Sequence, residues 1–180
     1  MKQSIVRINK IVLNNLKNVK KGIVEMPAYS DKELFSEKAD VLGLYGQNGS
    51  GKTAVVEALR FVKMLLSGKE LPADTKEYLA QSEEECTIDV SFSVSDELRK
   101  KSVNYSVTFK KEADEFVISR ERLTVVPRKK NTRAVESTLI DYQYDNEDVT
   151  FTPEYRYKKL VASVYKGIHI KTTKNGLPTY

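Results

Sequence analysis

The sequence predicts an α/β fold with a mixed sheet, and three observations predict it. A short apolar run, a glycine-rich turn and an apolar helix pattern follow one another across residues 41–66. Two strand-like stretches come before them, and three alternating stretches come after, at short separations. With 180 residues and no internal repeat or low-complexity tract, the chain reads as one lobe with a real core.

Residues 4–13, S-I-V-R-I-N-K-I-V-L, alternate in part as a half-buried strand does. Residues 14–19, N-N-L-K-N-V, read as a polar turn, and 22–26, G-I-V-E-M, as the second strand of an antiparallel hairpin. Residues 27–38 are polar and read as a surface loop. The run 41–45, V-L-G-L-Y, is expected to be a buried parallel strand. In residues 52–66, K-T-A-V-V-E-A-L-R-F-V-K-M-L-L, the interior polar residues Glu57, Arg60 and Lys63 recur at every third position. That spacing predicts a helix buried on nearly all sides and ended near Gly68. Residues 69–85 are polar, with a short helix over 75–80 and a solvated run Glu83, Glu84, Glu85. Residues 87–94, 103–109 and 116–126 alternate, which predicts an antiparallel meander after the helix, and 134–144 predict one more strand. Thr152 and Pro153 open a helix over 152–166, and the last residues read as a loop.

Between the apolar run and the helix stand Gly46, Gln47, Asn48, Gly49, Ser50, Gly51, Lys52 and Thr53. They fit the phosphate-binding pattern G-x-x-x-x-G-K-[ST], the P-loop, at every fixed position. Glycines let backbone N–H groups turn inward around phosphate oxygens, and the helix N-terminus adds partial positive charge. Lys52 supplies a full charge to the outer phosphates, and the Thr53 hydroxyl is placed to ligate Mg²⁺. A glycine turn that merely caps a helix does not call for Lys-Thr there. The expected ligands are ATP and Mg²⁺.

Two strands joined by a turn Asn15-Leu16-Lys17-Asn18, followed by G-x-N-G-S-G-K-T near residue 50, resemble the N-terminal lobe of ABC-type ATPase heads of the SMC, RecF and OLD-like group. Many of these act in DNA repair or phage defence. The turn in that group typically reads N-F-[RK]-[SN], and here leucine replaces the aromatic. The meander and Ile118-Ser119-Arg120-Glu121-Arg122-Leu123, similar to the group's I-x-x-E-x-L, extend the resemblance over residues 4–126. It implies that Lys17 and Asn18 help hold the nucleotide, against the alternative of a solvated hairpin turn. It also implies that ATP joins two heads, as a homodimer or with a partner lobe.

Composition narrows the partners. Thirty Lys and Arg against 25 Asp and Glu give a net charge of +5, mild basicity that is compatible with DNA. The densest basic stretch is 127–133, P-R-K-K-N-T-R; a charged hairpin tip outweighs a phosphate contact there, since no aromatics interleave it. Tyrosines 142, 144, 155, 157 and 165 read as packing residues. The one cysteine, Cys86, lies at a strand edge and reads as a packed thiol, and the one histidine, His169, has no triad partners nearby. No apolar run reaches membrane length and no signal peptide opens the chain, so no membrane partner and a cytoplasmic location are expected.

Hydrolysis in this class needs an acidic strand ending in Asp-Glu and a signature loop. Leu139-Ile140-Asp141 is a poor version of the first, and Leu65-Leu66-Ser67-Gly68-Lys69 reads as a helix C-cap and not as the second. Gln81 and Gln143 are weak candidates for a Mg²⁺-sensing glutamine, and no catalytic residue is assigned. The expectation is the first lobe of a longer ATPase, an ATP hydrolase only when completed. A small P-loop metabolite kinase and a non-hydrolysing nucleotide-binding regulator are the alternatives; the meander argues against the kinase.

Overall fold

A computed structural model describes residues 5–26, 41–67, 69, 71, 75, 77, 79, 85–95, 100–112, 115–128, 135–143 and 146–150. In chain order the described elements are β1 (Ile5–Leu16), β2 (Val19–Glu25), α1 (Lys52–Leu66), β3 (Glu85–Ser95), β4 (Lys100–Glu112), β5 (Glu115–Arg128), β6 (Ser137–Gln143) and β7 (Asn146–Thr150). The strands form one sheet in the order β2-β1-β3-β4-β5-β6-β7. Every pairing in it is antiparallel.

The meander β3-β4-β5 stands where alternation placed it, and β6 continues it. β7 is an addition that the sequence did not announce. β1 runs three residues beyond the expected strand, to Leu16, so the turn shrinks to Lys17 and Asn18. Asn15 and Lys17 take φ values of 55° and 53°. These left-handed conformations close the chain tightly, and asparagine tolerates them better than most residues.

The mixed sheet does not form among the described residues. Residues 41–45 are not a strand, and Val41 and Tyr45 are 95% and 96% exposed. A parallel strand needs a free hydrogen-bonding edge and cover on both faces. β1 is already paired on both edges, by β2 and by β3, so the interior of this sheet has no place for the strand that leads into the loop.

Period-two alternation makes one face of the sheet apolar. Ile11 and Leu13 of β1, Ile88 and Val90 of β3, Tyr105, Val107 and Phe109 of β4 and Ile118 of β5 are buried together with Ala54, Ala58, Phe61, Val62 and Leu65 of α1. Phe61 meets Phe109 edge to face, with ring centroids 6.4 Å apart. Tyr142 packs against the same core, as its strand spacing implied. Within this face the Tyr105 hydroxyl donates a 2.6 Å hydrogen bond to the buried Glu121 carboxylate.

The helix bounds agree with the expected 52–66, but α1 is amphipathic and not buried on nearly all sides. Val56 is 62% exposed, and Leu66 is exposed beside Arg60 and Lys63. A single sheet covers one side of a helix, so an apolar residue beyond that arc faces outward whatever its type. Arg60 reaches back to Glu57 at 3.1 Å. The Ser67 N–H donates to the carbonyls of Lys63 and Met64, and the Lys69 N–H to Met64, so 65–69 is indeed a helix end. Thr75 and Glu77 lie in a 3₁₀ turn, and Leu79 bridges to Leu16. The expected loop 27–38, the helix 152–166, Gln81, His169, tyrosines 144, 155, 157 and 165 and most of the basic stretch lie outside the described residues.

Candidate phosphate-binding site

The glycine loop is shaped by two left-handed residues. Gly49 has φ 86° and Gly51 φ 87°, conformations that side chains other than glycine rarely adopt. Gly51 is the N-cap of α1 and offers no side-chain cap, which leaves the first-turn N–H groups for an anionic ligand. The Gly51 carbonyl starts the helix by accepting from Ala54 N–H at 3.1 Å.

Lys52 folds over the loop. Its ammonium donates to the carbonyls of Gly46 at 2.6 Å and Gln47 at 2.7 Å, and to the Ser50 hydroxyl at 3.1 Å. All three ammonium protons are thereby used, and the positive charge sits at the loop's own centre.

The β1–β2 turn comes up against this loop. The Asn18 side-chain amide donates to the Gly49 carbonyl. Val19 covers Gly51 so closely that an added Cβ there would lie 2.5 Å from Val19 Cγ2. The turn is itself anchored, since the Asn15 amide donates to the Glu85 carbonyl at 3.0 Å and Leu16 bridges to Leu79.

Loop and turn line an open cavity of about 610 Å³, formed by Lys17, Asn18, Asn48, Gly49, Ser50, Gly51, Lys52, Thr53, Glu77 and Leu79. This is the size range of small-ligand pockets. The structure therefore brings Lys17 and Asn18 to the P-loop, while Gly46 and Gln47 act through their bonds to Lys52. Sequence reasoning missed Glu77 and Leu79, which sit in a polar stretch without a motif; only the topology carries them to the turn.

For a metal, the Thr53 hydroxyl is exposed at the start of α1 within the cavity, which fits a Mg²⁺ shared with phosphate oxygens. Among the described residues no cluster of three His, Cys, Asp or Glu side chains could hold an ion by itself. A bound Mg²⁺ would supply charge neutralisation between phosphates.

Other candidates stand elsewhere. Asp141 lies near Arg120 at 3.5 Å and Arg122 at 3.9 Å, and does not line the loop cavity. Gln143 lines a groove of about 290 Å³ with Lys110 and Arg120, away from the loop. A neighbouring groove of about 320 Å³ adds Asp89, Arg122 and Glu136. Acidic and basic groups alternate across these grooves, unlike the single-sign stripe that a phosphate backbone favours. Cys86 is buried, and that burial pushes its thiol up to about 12, so it is a packed group and no nucleophile at neutral pH. No described helix is long and apolar enough to cross a membrane.

A family model described as "AAA domain, putative AbiEii toxin, Type IV TA system" matches residues 41–173, about three quarters of the chain, with the glycine loop near the start of the match. No curated protein matches the chain, and no solved structure does. AAA-type P-loop ATPase domains generally bind ATP with Mg²⁺, the ligands that this loop and Thr53 suit. The chain belongs to this AAA-domain family and carries its nucleotide-binding P-loop.

Proposed function

We propose that the chain is the ATP-binding lobe of an ABC-type ATPase of the SMC, RecF and OLD-like group. One observation carries the reading: the β1–β2 turn, with Lys17 and Asn18, forms a single cavity with the P-loop. The resemblance in sequence implied that juxtaposition, and a glycine turn that only capped a helix would not need it. In this reading Lys52 clamps the β and γ phosphates, Thr53 holds Mg²⁺, the amides of the loop cradle oxygens, and Lys17 adds a second positive charge. ATP would join two such lobes, as a homodimer or with a partner lobe. Among the described residues the one carboxylate that lines the cavity is Glu77, on an exposed turn, so they provide for binding better than for activating water. Hydrolysis would then depend on completion of the lobe by an acidic strand and a signature loop of a longer ATPase. A role in DNA repair or phage defence follows from the same resemblance.

A Mg-ATP titration of wild type and Lys52→Ala tests the proposal. Loss of the central charge should weaken binding by about a hundredfold or more, as charge-assisted phosphate contacts do. Unchanged affinity in the variant would sink the assignment. DNA as a partner predicts duplex binding that falls steeply with salt.

A further inference from the structure

Resting on the nucleotide-binding reading, we propose that Asn18 is a positioning residue: its side-chain amide holds the Gly49 carbonyl out of the phosphate cradle and so sets the loop's binding shape before any ligand arrives. The chemistry of an anion cradle requires this kind of device. A loop that offers N–H groups to phosphate must keep its carbonyl oxygens turned away, since an inward carbonyl repels the anion. Two of the loop's carbonyls, those of Gly46 and Gln47, are neutralised by the Lys52 ammonium. A third, that of Gly49, is taken from outside the loop, by Asn18.

In a trans peptide the C=O and the following N–H point in opposite directions. Holding the Gly49 carbonyl toward the hairpin therefore turns the Ser50 N–H the other way, and it donates to Gln47 O at 3.2 Å inside the loop. The left-handed φ of Gly49 makes that orientation accessible. Asn18 can act as a template because its own turn is fixed, by the Asn15 bond to Glu85 and the Leu16–Leu79 bridge. Val19, the next residue, closes over Gly51 and sets the other left-handed corner. Asn18 thus acts on the nucleotide through Gly49, and Lys17 is left as the turn's direct contribution of charge.

The test measures two things in wild type, Asn18→Ala and Asn18→Asp: amide hydrogen exchange across residues 49–51 without nucleotide, and Mg-ATP affinity. Asn18→Asp keeps the volume but replaces the donor with an acceptor facing a carbonyl, so it serves where the alanine variant alters folding. A neutral hydrogen bond of this kind predicts exchange faster by about threefold to tenfold in the nucleotide-free state, and affinity lower by a similar factor. The aspartate variant should be at least as impaired as the alanine one. Affinity that falls with exchange unchanged would make Asn18 a direct nucleotide contact and overturn the proposal, as would no change in either. Accelerated exchange in a protein whose wild type binds no Mg-ATP would uphold the positioning role and sink the ATP-binding reading instead.

Discussion

Gly51→Ala strikes the loop at its tightest point, and its cost can be worked out from two separate terms. Alanine at φ 87° pays about 1–2 kcal/mol for the left-handed backbone. Its Cβ would also stand 2.5 Å from Val19 Cγ2, an overlap that typically costs about 1–3 kcal/mol to relieve. Together the variant should lose about 2–5 kcal/mol, a large share of the stability of a small domain. The two terms separate in a double-mutant cycle, because Val19→Ala removes the overlap and leaves the backbone strain. In the Val19→Ala background, Gly51→Ala should cost less by about 1–3 kcal/mol, whereas independent sites add to within about 0.5 kcal/mol. Urea denaturation of the four proteins, with m-values checked for constancy, gives the numbers. Strict additivity, or a Gly51→Ala cost below about 1 kcal/mol, would refute the close packing of turn on loop.

Other outcomes follow from the buried groups. Tyr105→Phe deletes the hydroxyl that donates to Glu121 and should cost about 1.5–3 kcal/mol, as bonds to charged groups do; a loss under half of that in the same denaturation assay would remove the bond's importance. Cys86 titrates at about 12 in the fold against an ordinary 9.0, so its protonated form is favoured by the native state. The sign then runs one way: this contribution is complete below pH 9 and is lost as pH rises toward 12, at about 1.4 kcal/mol per pH unit. The stability of wild type should accordingly fall more steeply than that of Cys86→Ala over this window, and parallel curves would show that the thiol ionises as readily in the fold as in the unfolded chain. Asp141→Asn, which removes long and partly exposed ion pairs to Arg120 and Arg122, should shift stability by less than about 1 kcal/mol, and a larger loss would mark that pair as structural.

The parts of this molecule that were legible in sequence are those decided locally. The loop is spelled residue by residue, the helix bounds follow from apolar spacing and the end of the pattern, and the meander follows from alternation with short connections. What the sequence hid depends on partners far along the chain. Whether 41–45 becomes a strand depends on a pairing partner far along the chain, and β1 already spends both of its edges on β2 and β3. Which apolar helix residues are covered is settled by the single sheet face beneath α1, so Val56 reads as core and stands outside it. Glu77 joins the cavity only because Leu79 meets Leu16, a contact across 63 residues that no local pattern encodes.

These two kinds of information meet at the P-loop. The usual expectation is that a loop of this type takes its shape from the strand that enters it and the helix that leaves it. Here the helix side is firm, with Gly51 capping α1, but the entering segment is exposed and outside the sheet. The second support comes instead from the side, where Asn18 and Val19 of the β1–β2 turn meet Gly49 and Gly51. That turn is tight because β1 continues to Leu16, and it is held in place because β1 lies between β2 and β3. The same double pairing that keeps residues 41–45 from joining β1 therefore gives the loop its template. A substitution that loosens the turn, such as Asn15→Ala with its lost 3.0 Å bond to Glu85, should reach the phosphate cradle without touching it. Its signature is faster amide exchange at residues 49–51, and a loop that exchanges as in wild type would show that the turn and the cradle are mechanically separate.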